Sequence, residues 1–216
     1  MISVVIRTYN EKDNLKKLLH ILANQSIENE VIIVDSNSND GTQELCDDFD
    51  TKLVQCNPFT YGKGLNVGIE KSKYKYICSL SAHCFPTNDN FLLTMYNNFD
   101  DRVAGVYSKQ EATDGSNILD KRNLMIIFRT EKLQQINDYF FNNASSMFRK
   151  DIWEKFNFRE DIAAWEDLLW AHSVQKVGYK IIYEPKAIVK HYHIEGIDKT
   201  ISRYEKEYNT ICKLKF

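Results

Sequence analysis

The sequence of 216 residues lacks the features that mark several large classes of protein. Its five cysteines are odd in number and include no C-x-x-C pair, so neither a disulfide framework nor a zinc ribbon is indicated. No apolar run approaches the length needed to cross a bilayer, and no basic n-region or cleavage site follows Met1. These absences favour a cytoplasmic protein whose thiols are buried and reduced.

An excess of charge of one sign is missing as well. The chain has 28 Lys and Arg residues against 30 Asp and Glu residues, which gives no electrostatic basis for binding nucleic acid. The exception is local, because residues 199–216 contain five cations in a pattern typical of an amphipathic helix. Such a segment allows peripheral contact with the inner face of a membrane, with about 1 kcal/mol of attraction for each cation. The oligomeric state is left open.

Short apolar segments alternate with helical patterns in the first half of the chain. Four of them favour strands: 2–6 and 31–34, whose β-branched and apolar residues suit strands buried on both faces, and 52–55 and 76–80. This alternation predicts an α/β fold with a mostly parallel sheet flanked by helices. In such sheets ligands bind at the carboxyl ends of the strands. Three polar clusters fall at those ends, at residues 7–11, 35–42 and 81–84.

The second half is less regular. Residues 179–183 and 187–191 favour strands separated by Pro185, and Glu166–Val177 favours a helix that ends at Gly178. Residues 62–71 are interpreted as a loop that enters a helix.

Four motifs, in register, resemble those of the family-2 glycosyltransferases. IRTYNE (6–11) and VDSNSNDGT (34–42) are similar to the opening of that family, and WED (165–167) followed by VGYKIIYEP (177–185) is similar to its late acidic motif. The resemblance runs from residue 2 to about residue 193. It implies the GT-A fold, a Rossmann-like sheet joined to a smaller acceptor-binding half.

The resemblance also implies a division of the chain. We expect a single domain, 1–216, that comprises a nucleotide-binding half (1–107), an acceptor half (108–193) and a C-terminal helix (194–216). Its ligands would be a nucleotide-sugar donor and a glycan or lipid-linked glycan acceptor.

Donor-binding residues follow from the first two motifs. Asp35 matches the aspartate that accepts the ring N–H of uracil or thymine, while Thr8, Tyr9 and Glu11 match residues that line the nucleoside. A turn with helix caps is the alternative for the second motif, because short polar side chains bond nearby amides. We expect Asp40 and Thr42 to cap the next helix.

A third donor segment, GKGLN (62–66), is similar to the one that passes beneath the donor. Its glycines would let the backbone approach closely, Lys63 would meet a phosphate, and Asn66 is a further donor-binding candidate. The alternative is a flexible loop with a solvated lysine.

The motif Ser81-Ala82-His83 stands where the family usually has Asp-x-Asp, whose second carboxylate binds Mn²⁺ or Mg²⁺. A neutral imidazole also binds Mn²⁺, so His83 is a candidate ligand, together with His191 and His193, which share one face of an extended chain. The alternative is that the metal is lost and that a protonated His83 offsets the diphosphate charge. Because both carboxylates are absent, we predict at most weak metal dependence.

Asp167 is the predicted catalytic base. Displacement at an anomeric carbon needs a carboxylate that accepts the proton of the attacking hydroxyl, and the second acid of the Glu-Asp pair has that role in the family. Glu166 would orient the acceptor or hold the loop, and Trp165 would stack on a sugar. The alternative, that both acids only cap a helix, is compatible with catalysis.

The predicted activity is inverting transfer of a sugar from a UDP- or dTDP-linked donor to a hydroxyl, in surface glycan synthesis. The Ser-x-His motif is similar to that of transferases that build bacterial surface polysaccharides. One alternative is a non-catalytic nucleotide-sugar-binding module that has lost its metal site. Another is a sugar nucleotidyltransferase, although the Gly-rich, basic signature expected after its first strand is missing.

Overall fold

The first four long segments predicted as strands form the parallel half of the sheet. In the computed structural model, which describes residues 1–135, 138–192 and 196–213, nine strands belong to one sheet. The first half contains β1 (Ile2–Thr8), β2 (Asn29–Asp35), β3 (Thr51–Gln55) and β4 (Tyr76–Ser81), in the spatial order β3-β2-β1-β4. Between them lie α1 (Lys12–Ala23), α2 (Thr42–Leu45) and α3 (Tyr61–Glu70).

Burial on both faces explains why β1, β2 and β4 are largely apolar, whereas β3, at the edge of the sheet, is partly exposed. Successive side chains of a strand point to opposite faces, and on β1 Val4 and Val5 belong to different hydrophobic clusters. The cluster on the Val4 side includes four leucines of α1, whereas Leu65 and Ile69 of α3 belong to the other. The predicted α/β sheet with flanking helices is confirmed.

The second half of the sheet is mixed. Its elements are β5 (Cys84–Pro86), α4 (Phe91–Tyr96), β6 (Val103–Ala112), α5 (Ile118–Ile127), β7 (Leu133–Gln135), β8 (Ser145–Arg149), α6 (Lys150–Trp153), α7 (Glu166–Lys176), β9 (Lys180–His191) and α8 (Ile197–Ile211). Strand β8 runs antiparallel to both β4 and β6, and β9 runs parallel to β6 but antiparallel to β5 and β7. The mostly parallel arrangement therefore describes the first half alone.

Two local expectations differ from the structure. Residues 180–191 form one strand rather than two, because pairing with β6 shifts from Ser108–Glu184 to Lys109–Ile188 and leaves Pro185 in a bulge. Helix α3 begins at Tyr61, where Thr60 accepts a bond from the Lys63 amide, so residues 62–66 are helical and not a loop.

Register brings the strand ends together. Thr8 pairs with Asp35, and Arg7 pairs with Ser81, so the carboxyl ends of β1, β2 and β4 lie side by side. None of the described helices is long and apolar enough to span a membrane.

Candidate active site

A cavity of about 300 Å³ opens at the carboxyl ends of β1 and β4, beside the N-terminus of α7. Helices α5 and α8 contribute Asp120 and Arg203 to its wall. Six of the predicted site residues line it: Ser81, His83, Trp165, Glu166, Asp167 and His191. Residues more than 80 positions apart in the sequence thus meet at one site.

Asp167 lies in the first turn of α7, with a partly exposed edge towards the cavity. Trp165 turns the chain just before this helix through a left-handed conformation with φ 69°. The Asp167 carboxylate accepts bonds from the amides of Leu168 (2.8 Å) and Asn143 (3.1 Å). Burial and the adjacent Glu166 charge raise the pKa of Asp167 to about 7, against the opposing effect of these amides and of Arg7. A carboxyl group with such a pKa is suited to act as a general base near neutral pH.

Arg7 is a site residue that the sequence interpretation missed. Its guanidinium lies 3.5 Å from Glu166, donates to the Asn143 carbonyl at 3.1 Å, and stands 5.4 Å above the Tyr61 ring. The sequence could have indicated Arg7, because an arginine at the end of a buried strand must be paired or face a ligand.

Two buried donors at this site have no hydrogen-bond partner among the residues that the structure describes. The Nε of Arg7 and the Nδ2 of Asn143 make no hydrogen bond to any described residue, and both side chains line the cavity. Because an unsatisfied buried donor costs about 1–3 kcal/mol, such groups commonly await a ligand or water.

Trp165 connects the start of α7 to the C-terminal helix. Its indole Nε1 donates to the Glu207 carbonyl at 2.7 Å, and both residues line the cavity. This bond fixes the orientation of the ring. Its predicted role in stacking on a sugar stays a prediction.

His83 and His191 meet because β5 and β9 pair antiparallel. Their rings are stacked, with centroids 5.2 Å apart and planes within 10°. The Nδ1 of His83 lies 2.9 Å from Glu11 Oε1, and the Nδ1 of His191 lies 2.7 Å from Gln110 Oε1. His193, the third predicted ligand, lies outside the described residues.

This arrangement bears on the predicted cation. The Nδ1 of each ring contacts a carboxylate or an amide oxygen, and the two rings lie in nearly parallel planes. Within the described ranges, no three His, Cys, Asp or Glu side chains form a group that would hold a metal ion. The residues that the structure describes thus supply fewer than three such ligands for a divalent cation.

The loop after β2 is closed by its own side chains. Asp35 is fully buried and accepts bonds from the Ser38 amide (2.9 Å), the Ser38 hydroxyl and Gln43 Nε2 (2.9 Å). A base contact by Asp35 therefore requires this loop to open. Asp40 accepts from the Thr42 amide at the start of α2, as expected.

The helix starts around this loop differ in part from expectation. Asp40 also accepts from the Lys12 amide, at the start of α1. The hydroxyl of Thr42 also contacts the start of α1, because it accepts a bond from the Glu11 amide at 3.2 Å. Of the three donor-binding candidates at the end of β1, Thr8 is buried, Tyr9 is 61% exposed and Glu11 contacts His83.

Asn66 lies away from the cavity, in the contact between α3 and residues 153–160. Its amide nitrogen donates to Phe158 O and Glu160 Oε1, and its oxygen accepts from Trp153 Nε1 and the Phe158 amide. Its buried amide is fully bonded within the protein, so a donor contact by Asn66 would have to replace one of these bonds, and that role stays a prediction.

The two glycines of this segment also serve internal packing. A Cβ at Gly62 would lie 1.9 Å from the Arg159 carbonyl oxygen, and one at Gly64 would lie 2.6 Å from the Phe59 ring. The expected close approach to a donor is thus replaced by close approach to protein. Lys63, half-buried in the first turn of α3, keeps its phosphate role as a prediction.

Proteins similar to this chain act on sugars. The sequence model described as glycosyl transferase family 2 matches residues 3–156. The O-antigen chain rhamnosyltransferase WbaN of Salmonella anatum is 24% identical over 218 residues, which cover 94% of this chain and 69% of WbaN.

Two solved structures share the fold. TarS 1–349 of S. aureus in complex with UDP-GlcNAc has a TM-score of 0.73 and 18% identity, over 90% of this chain and 59% of that chain. The mannosyltransferase PcManGT of Pyrobaculum calidifontis, in complex with GDP-Man and Mn²⁺, has a TM-score of 0.72 and 17% identity, over 97% of this chain and 61% of that chain. This chain therefore spans about three fifths of each solved relative.

Proposed function

Because this chain belongs to glycosyl transferase family 2 and has the GT-A fold, we propose that it transfers a sugar, with inversion, from a nucleoside-diphosphate donor to an acceptor hydroxyl. UDP- or dTDP-linked donors are favoured, and the acceptor is a glycan or lipid-linked glycan. The similarity to an O-antigen chain rhamnosyltransferase supports a role in surface glycan synthesis.

The environment of Asp167 carries this proposal. Its carboxylate accepts the proton of the acceptor hydroxyl while that oxygen attacks the anomeric carbon from the face opposite the diphosphate. The bond from carbon to the diphosphate oxygen breaks with its electron pair, so one displacement inverts the anomeric centre. A pKa of about 7 leaves the base largely ionised at mildly alkaline pH and still basic enough to take the proton.

Glu166 and Arg7 hold this base in place. Arg7 bridges Glu166 and the Asn143 carbonyl, and the Asn143 amide bonds Asp167. Arg7 and Glu166 thereby fix the position of Asn143, whose amide orients Asp167. Trp165, tied to α8, offers its ring face to the acceptor sugar.

The proposed donor-binding residues lie at or after the carboxyl ends of β1, β2 and β4. Thr8 ends β1 and is followed by Tyr9 and Glu11, Asp35 ends β2, and Ser81 ends β4. His83, held by Glu11, stands beside Ser81, where an imidazolium would offset the charge of the departing diphosphate.

A divalent cation is an additional component of the proposal. PcManGT was solved with Mn²⁺, which makes a cation plausible in this family. Among the described residues of this chain, however, no three His, Cys, Asp or Glu side chains form one group. We therefore expect only weak dependence on Mn²⁺ or Mg²⁺.

Calorimetric titration with UDP, dTDP, GDP and CDP, each with Mn²⁺ and again with EDTA, tests the donor site. We expect UDP or dTDP to bind and EDTA to change the affinity little. Binding by none of the four would contradict the proposed donor site. Tight binding without sugar transfer or donor hydrolysis would identify a binding module instead.

A further inference from the structure

Helix α8 is amphipathic in the opposite sense from an ordinary surface helix. Its polar residues face the protein: Thr200 is buried, and Arg203 and Glu207 line the cavity. Its apolar residues Ile197, Ile201 and Tyr208 are 47%, 44% and 67% exposed. These three positions fall within about 40° of one another around a helix of 3.6 residues per turn, so they form one exposed stripe.

Helix α5 shows the same inversion. Asp120, Asn123 and Leu124 face the cavity, whereas Met125 and Ile126 are 80% and 58% exposed. Ile118, at the first turn, is 68% exposed. A soluble monomer rarely leaves several large apolar side chains of one helix in water, so such a cluster marks a contact site.

The two helices are bonded to each other. Asn117 Nδ2 donates to Thr200 Oγ1 at 2.8 Å, and Arg203 pairs with Asp120 at 2.8 Å. The two helices therefore stand side by side at the wall of the same cavity, and each carries exposed apolar side chains outside its lining. We call them the rim surface: Ile118, Met125, Ile126, Ile197, Ile201 and Tyr208.

The charge around this surface is positive although the chain as a whole is negative. Residues 118–135 and 196–213 contain eight lysine or arginine residues against five aspartate or glutamate residues. Two of those acids are turned inwards, since Asp120 is paired with Arg203 and Glu207 lines the cavity. Exposed cations include Arg122, Arg129 and Lys132. Apolar side chains among cations are the composition that binds anionic lipid surfaces.

We propose that the rim surface docks the protein on an anionic phospholipid membrane, with the apolar side chains inserted among the headgroups. The cavity mouth, which α5 and α8 flank, is thereby held at the membrane. In combination with the proposed transferase function, which this last step assumes, that position gives a lipid-linked acceptor direct access to Asp167.

Sedimentation with vesicles tests the docking. We expect the protein to bind vesicles of phosphatidylcholine with phosphatidylglycerol, and to bind phosphatidylcholine vesicles weakly. The double variant Met125→Ser/Ile126→Ser should lower partition onto the anionic vesicles about tenfold, because two inserted side chains lose their apolar contact. Ile201→Ser/Tyr208→Ser should act in the same direction.

Val177→Ser is the matched control, because Val177 is 59% exposed but lies at the opposite end of α7 from the cavity. It should bind vesicles as the wild type does. All of these positions are exposed, so circular dichroism should show unchanged folding.

Absence of wild-type binding, or rim variants that bind like the control, would overturn the docking proposal. Sedimentation velocity provides the competing outcome: if the rim variants dissociate a dimer and vesicles are not bound, the surface belongs to a second copy of this chain. UDP titration without vesicles separates the two proposals, since docking can fail while nucleotide binding remains.

Discussion

Two acidic segments at helix starts, residues 35–42 and 165–167, contain aspartates whose pKa values are shifted in opposite directions. In the first, desolvation raises the pKa of Asp40, but bonds from Thr42 and from the Lys12 amide outweigh it and lower the pKa. In the second, burial and Glu166 raise the pKa of Asp167 to about 7. Carboxylates of the first loop are thus used to shape the backbone, whereas Asp167 is held in a state that favours taking up a proton.

The difference extends to the neighbours of each loop. Around Asp35, Ser38 and Gln43 donate to the carboxylate and close the loop. Around Asp167, Arg7 and Asn143 each retain a buried donor without a partner among the described residues. Satisfied polar groups rigidify a fold, while unsatisfied ones beside a cavity indicate a place for a ligand. The comparison therefore supports the proposal that residues 165–167 carry the chemistry.

The largest expected effect comes from removing the proposed base. Asp167→Asn should lower the rate of sugar transfer by about 10²- to 10⁴-fold, because general base catalysis contributes on that scale. UDP affinity by calorimetry should be unchanged, since the proposal places Asp167 at the acceptor hydroxyl and not at the nucleotide. Asp40→Asn, in the other loop, is the control: it should weaken helix starts and stability while transfer remains. Substantial transfer by Asp167→Asn would refute the assignment.

A second prediction concerns the pH dependence of kcat/KM. Because Asp167 must be ionised to accept a proton, kcat/KM should rise with pH and level off above about 7. Glu166→Gln removes the neighbouring negative charge that raises the pKa of Asp167, so the rising limb should move to lower pH. A limb that stays in place in Glu166→Gln would mean that another group titrates.

Much of the fold was predictable from the sequence because β1, β2 and β4 are largely buried on both faces. A short apolar segment then predicts each of these strands, and the polar residues after it indicate where the strand ends. The second half was harder, since β7 and β8 are short and polar and β9 continues past Pro185 through a bulge. The start of α3 was missed because glycine disfavours helices, although close packing against Arg159 requires it there.

The site was predictable to the extent that its residues follow strands or precede helices. Ser81, His83 and Asp167 were found in this way, and all three line the cavity. Arg7 and Glu166 are 159 positions apart, and their contact depends on how the two halves of the fold pack. No local pattern contains that information. The internal bonding of Asn66 was hidden for the same reason.

A third prediction concerns stability. A carboxyl group whose pKa rises from 3.8 to about 7 on folding keeps its proton in the folded state between those values. Unfolding releases that proton, so this group makes the free energy of unfolding fall as pH rises from about 4 to 7. Asp167→Asn should abolish that fall, and urea unfolding should show a variant more stable than wild type at pH 7 but not at pH 4. Equal pH dependence in the two proteins would contradict the raised pKa.

The smallest expected effect tests the first loop. Ser38→Ala removes the hydroxyl bond to Asp35 while the Ser38 amide still donates, so the free energy of unfolding should fall by about 1 kcal/mol. One Asp35 oxygen is then released from the loop. If Asp35 reads the base, the variant should bind UDP at least as tightly as wild type, because less of the loop must open. Weaker UDP binding by Ser38→Ala, measured where the protein is fully folded, would mean that the closed loop itself is the nucleotide-binding form and that Asp35 acts only on its shape.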